Sequence, residues 1–230
     1  MIRLAIFDFD DTLVNNIELD FKAFDIPCKK LGLKSPDKDK IIKMRKKGFV
    51  AKQIMENYLK NSEKGFMTIF LNERKEFLKT ESIKYLKLKP HLRSLLEFLK
   101  KKKIKMIICT ANKNKSTVLN FVKKKSLSGY FSEILFMDDL GFKLDNSTAS
   151  NRILIKTSLI KNVLNKFIGT KDEIVFIGNS VEDLKSAKKM KVPFIYFQNF
   201  YLPKLKNNRI KIIYSMLELK KYFLKVELSN

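Results

Sequence analysis

Leu4-Ala5-Ile6-Phe7-Asp8-Phe9-Asp10-Asp11-Thr12-Leu13 sets four apolar residues directly before three carboxylates within four positions. The apolar run is too short for a helix. It is continuous rather than alternating, the pattern of a strand buried on both faces. Acids leaving such a strand are either solvated turn residues or groups gathered to hold a cation and attack an electrophile.

Four further runs repeat the pattern: Lys105–Cys109, Ile134–Met137, Ile174–Ile177 and Phe194–Phe197. Helical patterns separate them. Leu92–Lys100 carries apolar residues at 92, 95, 96 and 99, and Ser116–Lys124, Leu154–Phe167 and Val181–Met190 also read as helices. Ile210–Tyr214 and Leu217–Leu224 supply a sixth strand–helix pair. Strands alternating with helices predict an α/β protein with a doubly wound parallel sheet. The interval from Thr12 to Lys105 breaks the alternation, with helical patterns at Asn16–Leu31, Pro36–Lys46, Phe49–Leu59 and Lys64–Leu86. The breaks fall at Gly32, near Gly48 and around Asn61–Glu63, and Ser35 ahead of Pro36 and Asp37 marks a helix start. Residues 15–86 therefore read as an inserted α-helical domain, too long for an ordinary loop, and residues 1–14 with 87–230 as the core.

The 230 residues carry 48 Lys and Arg against 24 Asp and Glu, a formal charge of +24. Six of the basic residues are Arg, and the Lys are spread along the chain. The densest runs, 100–103 and 123–125, fall at expected helix ends, where cations are favoured. This reads as a solvated basic surface rather than a nucleic-acid site, although the surplus attracts anionic substrates at long range. Cys28 and Cys109 lack metal-type spacing and read as buried thiols in a reducing compartment. His91 is the single histidine, which excludes a His-based triad or multi-His metal centre. No apolar run approaches the ~20 residues of a membrane span, and the first residues do not read as a signal peptide. The expectation is a soluble, cytoplasmic protein, with the oligomeric state open and a monomer preferred.

In an open parallel sheet, ligands bind at the C-terminal strand ends. Here the first strand runs into Asp8-Phe9-Asp10-Asp11-Thr12, the second into Thr110-Ala111-Asn112, and the fourth into Gly178-Asn179-Ser180-Val181-Glu182-Asp183. If these edges converge, several carboxylates share a small volume, which is unfavourable unless a cation neutralises them. An all-oxygen site suits Mg²⁺.

DFDDTL, the Thr110 strand end, a Lys ahead of the fourth strand and GNSVED together resemble the haloacid dehalogenase-like (HAD) hydrolase superfamily, over nearly the whole chain. The resemblance implies a Rossmann-like HAD core in which Asp8 is the nucleophile, forming an aspartyl-phosphate. Asp10 would be the general acid and then the general base. An Asp at that position is similar to the phosphatases and phosphomutases of the superfamily, whereas its haloacid dehalogenases lack it. Thr12 would hold the loop at the substrate. Thr110 would donate to the transferring phosphoryl group beside the backbone amides of Ala111 and Asn112. Lys156 would neutralise the aspartate–phosphate pair, with Lys143 as the alternative. Relatives often have Gly before that Lys and Pro after it, where this chain has Ile155 and Thr157. The implied Mg²⁺ ligands are Asp8, Asp10, Asn179 and Asp183. Asn179 stands where relatives usually carry an Asp, and offers a neutral oxygen of nearly the same shape with less attraction for the ion. Asp11 occupies a position that varies between Gly and Asp in relatives, and takes no catalytic role.

The insert falls at the C1 cap position and resembles that of the phosphoglycolate phosphatase and β-phosphoglucomutase group. It implies a helical cap hinged near Leu13–Asn16 and Leu86–Pro90, and a small phosphorylated metabolite as substrate. Arg45 and Lys46, at the helix break where relatives carry a specificity loop, are either substrate-binding residues or an exposed basic helix end. Phe21, Phe24, Phe49 and Phe66 read as packing within the insert, and His91, where relatives often have Gly, as structural. The expected activity is a Mg²⁺-dependent phosphatase. The alternatives are a phosphomutase of the β-phosphoglucomutase type and, because of Asn179, a catalytically impaired HAD-fold binding protein.

Overall fold

Leu4–Phe7 forms β1, the centre of the sheet, in a computed structural model of the protein that describes residues 1–59, 65–141, 148–205 and 210–228. The other strands are β2 (Lys105–Thr110), β3 (Glu133–Phe136), β4 (Ile174–Gly178), β5 (Phe194–Phe197) and β6 (Lys211–Ile213). Their order is β3-β2-β1-β4-β5-β6, and every pairing is parallel. Phe7 stands opposite Ile108 of β2 on one side and Ile177 of β4 on the other. The chain therefore steps outward from β1 in one direction, then returns to its other flank. That reversal makes the C-terminal ends of β1, β2 and β4 the topological switch point.

The helices between β1 and β2 are α1 (Ile17–Lys30), α2 (Lys38–Lys46), α3 (Ala51–Tyr58), α4 (Met67–Thr80), α5 (Ser82–Tyr85) and α6 (Leu92–Lys101). After β2 come α7 (Lys115–Lys124), α8 (Ala149–Lys166), α9 (Val181–Met190) and α10 (Met216–Leu228). Because side chains alternate along a strand, Leu4 and Ile6 share one face of β1. They join Ile107, Cys109, Ile174 and Phe176 in a cluster covered by Ile155, Leu159, Ile160 and Val163 of α8. Phe7 points to the opposite face and meets Phe131 edge-on. Both cysteines are buried and free. The doubly wound parallel sheet expected from the sequence is thus present, and no helix among the described residues is long and apolar enough to cross a membrane.

The chain divides into two units. One comprises Met1–Asn15, Leu88–Gln198 and Lys206–Asn230; the other comprises Asn16–Lys87 and Asn199–Leu205. The second has its own core, in which Phe24 stacks on Phe70 at 5.9 Å amid Ile41, Ile54 and Met55.

Several boundaries differ from the sequence reading. The helix expected to start at Ser35–Pro36 begins at Lys38, because the Asp37 carboxylate caps it by accepting the Lys40 amide at 2.7 Å. The long pattern ending at Leu86 divides at Glu81 into α4 and α5, and the break expected at Asn61–Glu63 lies outside the described residues. Helix α8 begins at Ala149, not Leu154, because Thr148 caps the Asn151 amide. Asp11 and His91 both adopt left-handed backbone, with φ of 56° and 63°. That conformation, which Gly and Asp tolerate best, accounts for the Gly/Asp variation read at position 11.

Gly178 ends β4 beneath the carboxyl group of Asp183. A Cβ there would lie 2.6 Å from the Asp183 carboxyl carbon. Gly178→Ala should therefore destabilise the protein by about 1–3 kcal/mol in urea denaturation. Gly129→Ala, with nothing within 4 Å of the added carbon, should shift stability by less than about 0.5 kcal/mol.

Candidate active site

The ladder between β1 and β4 continues one residue past β1, because the Asp8 amide donates to the Ile177 carbonyl at 2.9 Å. This fixes the Asp8 backbone at the sheet edge and directs a carboxylate only 3% exposed. About two turns into α8, Lys156 reaches the same point. Its Nζ lies 2.9 Å from Asp8 Oδ1 and also donates to Asp183 Oδ1. The ammonium is itself buried, at 7% exposure.

Asp183 lies in the first turn of α9 and is fully buried. Its Oδ2 accepts from the Asn179 amide at 3.2 Å, the Ser180 amide at 3.0 Å and the Ser180 hydroxyl at 2.6 Å. The Asp183 amide returns a bond to Ser180 Oγ at 3.1 Å, closing a capping box. Both carboxylate oxygens are thus engaged, one by the loop and the other by Lys156.

Asp10 is oriented from β2. Asn112 Nδ2 donates to Asp10 Oδ2 at 2.9 Å, while Asn112 Oδ1 accepts the Asn114 amide at 2.8 Å. The Asn112 amide donates to Thr110 Oγ at 3.1 Å, which leaves the Thr110 proton to donate elsewhere. Thr12 Oγ lies 3.3 Å from Asp8 Oδ2 and 3.2 Å from the side-chain amide of Asn179.

Burial pushes the Asp8 carboxyl up; Lys156 opposes this, while Asp183 and Asp10 add to it. Burial also works against the Lys156 ammonium, but the Asp183 and Asp8 carboxylates outweigh it and hold it charged. Among the described residues, no group of three or more His, Cys, Asp or Glu side chains is placed to hold a metal by itself. A cation would have to draw on amide and carbonyl oxygens as well. Those are present. The Asn179 amide atom facing the loop lies 3.0 Å from the Asp10 backbone carbonyl and 3.2 Å from Asp8 Oδ2. Neighbouring oxygens around an octahedral Mg²⁺ stand about 3 Å apart, so the donor types and their spacing fit that ion.

Of the residues singled out in the sequence, Asp8, Thr12, Lys156, Asn179 and Asp183 form one bonded group and Asp10, Thr110 and Asn112 another, and the two meet where the Asn179 amide lies 3.0 Å from the Asp10 carbonyl. Ala111 is buried between Thr110 and Asn112. Lys156 sits within α8, and Lys143 lies outside the described residues. Arg45 and Lys46 belong to the second unit. The Arg45 guanidinium forks onto Asp20 at 2.6 and 2.7 Å and donates to the Phe49 carbonyl at 2.9 Å, whereas Lys46 is exposed. Asp20 also accepts from Arg74, so it is the anchor of a half-buried clamp. Glu182 is taken by Arg152. Two contributions escaped the sequence reading: the Ser180 hydroxyl and the Asn112 side chain. Ser180 was detectable from its Ser-x-x-Asp capping spacing to Asp183. Asn112 carried no comparable signal, since its partner Asp10 is distant in sequence.

The sequence matches the family model of haloacid dehalogenase-like hydrolases over residues 5–197. No curated protein matches it. Among solved structures, a haloacid dehalogenase-like family hydrolase from Streptococcus pneumoniae is 21% identical, with a TM-score of 0.67 over 96% of this chain and 98% of that one. A protein described as a predicted phosphatase from Clostridium acetobutylicum is 22% identical, with a TM-score of 0.70 over 98% and 99%. One described as a predicted phosphoglycolate phosphatase from Haemophilus somnus is 17% identical, with a TM-score of 0.66 over 96% and 98%. At these identities the likeness to solved structures carries the fold, while the family match spans most of the chain and includes the strand ends that build the cluster. The chain belongs to the haloacid dehalogenase-like hydrolase family.

Proposed function

We propose that the protein is a Mg²⁺-dependent phosphatase that hydrolyses a small phosphorylated metabolite through a phosphoryl group carried on Asp8. The observation that carries this reading is a buried carboxylate, Asp8, held against Lys156, with a second acid two residues on oriented independently by Asn112. A structural ion pair needs no second acid aimed from a neighbouring strand end. A two-step transfer does.

The division of labour follows from the contacts. Asp8 attacks phosphorus, and the bond to the leaving oxygen breaks as Asp10 delivers a proton to it. Asp10, now a base, takes a proton from water. The resulting hydroxide displaces phosphate from Asp8 and regenerates the carboxylate. Lys156 offsets negative charge as it gathers on the transferring group, and the Thr110 hydroxyl supplies a donor there. Asp183 acts through Lys156 and the 179–180 loop, because both its oxygens are already engaged. Bound Mg²⁺, held by Asp8, the Asp10 carbonyl and Asn179, would supply charge neutralisation to the same group. The helical unit, by its place in the chain after β1, is read as the cap that selects the leaving group. Within it, the free end of Lys46 suits an anionic substrate better than Arg45, which Asp20 occupies.

Asp8→Asn should keep the fold, by circular dichroism, and lower turnover of an aryl phosphate with Mg²⁺ by about 10⁴-fold or more. Substantial remaining activity would refute the nucleophile assignment. A screen of phosphorylated metabolites, with products analysed for a hexose phosphate, separates hydrolysis from phosphoryl return to a sugar. No turnover by the wild type on any substrate would favour the binding-protein reading.

Lys156→Met leaves two buried carboxylates without their shared cation and should cost about 3–5 kcal/mol in urea denaturation without Mg²⁺. Adding Asp183→Asn should recover part of that loss. A cost below about 1 kcal/mol would mean that these charges are solvated.

A further inference from the structure

The side-chain amide of Asn179 faces a contradiction that an Asp in its place would not resolve. Its inward terminal atom lies 3.0 Å from the Asp10 carbonyl oxygen, 3.2 Å from Asp8 Oδ2 and 3.2 Å from Thr12 Oγ. The Asp10 carbonyl has no proton to give, and Asp8, paired as a carboxylate with the Lys156 ammonium, has none on Oδ2. An oxygen placed there would oppose two other oxygens, and Asn179 is only 8% exposed, so water screens little of that repulsion. A nitrogen placed there satisfies everything at once. Its two protons serve acceptors among Asp10 O, Asp8 Oδ2 and Thr12 Oγ, and the Thr12 hydroxyl donates a hydrogen bond to Asp8 Oδ2 at 3.3 Å.

We propose that Asn179 is a two-state ligand whose amide group stands in for the metal ion and must turn over to admit it. Without a divalent cation, the NH₂ points inward and neutralises part of the charge on Asp8 and the Asp10 carbonyl. With the cation bound, the amide rotates by half a turn about its terminal torsion and presents Oδ1. That torsion is broad and roughly two-fold, and the two ends have nearly the same size, so the exchange needs no backbone movement. An Asp at this position has no such choice: it presents oxygen in both states. The substitution therefore stabilises the metal-free protein and weakens Mg²⁺ binding through one and the same contact. The proposal rests on the reading of this cluster as a Mg²⁺ site.

The test compares wild type, Asn179→Asp and Asn179→Ala by thermal unfolding in EDTA and by calorimetric Mg²⁺ titration, at fixed pH. In EDTA the wild type should melt several degrees above both variants, since each removes the inward donor. With Mg²⁺, Asn179→Asp should bind about ten- to a hundredfold more tightly than the wild type and show the larger rise in melting temperature. Asn179→Ala, lacking the ligand altogether, should bind more weakly than either. If a variant fails to fold, the wild type alone remains decisive. Its Asn179 side-chain NH₂ resonances should report a hydrogen-bonded, slowly exchanging group in EDTA and a released one in saturating Mg²⁺. Asn179→Asp melting at or above the wild type in EDTA, equal Mg²⁺ affinities, or an NH₂ signal that Mg²⁺ leaves unmoved would each overturn the two-state ligand while leaving the phosphatase reading intact. If none of the three proteins binds Mg²⁺, the metal site falls and the two-state ligand with it.

Discussion

A buried ammonium holds the active-site edge of this protein together. Lys156 sits between Asp8 and Asp183, so one charge ties the end of β1, the middle of α8 and the start of α9. Buried charges are tolerated only when their hydrogen-bonding capacity is filled. The surrounding structure supplies that filling. Ser180 and the loop amides take the far oxygen of Asp183, and Gly178 lacks the side chain that would keep Asp183 away. The charged side chains of the cluster are therefore held in place by contacts within the protein itself.

The sheet was legible because its strands are buried on both faces, and continuous apolar runs such as Ile174–Ile177 leave little else to be. The strand ends were legible for a related reason: polar residues that interrupt a buried run at one edge of a parallel sheet have few structural uses. Boundaries set by a single capping contact were harder. Asp37 displaced Ser35 as the start of α2, and Thr148 lengthened α8, because side-chain caps compete locally and no periodic signal ranks them. Partners distant in sequence were harder still. Nothing near Arg45 announces Asp20 and Arg74, and nothing near Asn112 announces that its side chain orients Asp10.

The large positive charge and this acidic cluster act over different distances. Many surface ammonium groups are exposed, among them Lys29 and Lys30 with partners at Asp25 and Glu73, and such pairs contribute little to stability. Their collective field extends about one Debye length, roughly 8 Å at physiological salt, and favours the approach of any anion. Inside the cluster the sign reverses. Asp8 has Asp10 and Asp183 beside it, and Lys156 is already shared between two of those acids. Each carboxylate added there raises the cost of bringing in a dianion, whereas each neutral donor lowers it. At position 179 a neutral amide, compared with a carboxylate, therefore attracts any cation less and repels any anion less through one and the same contact.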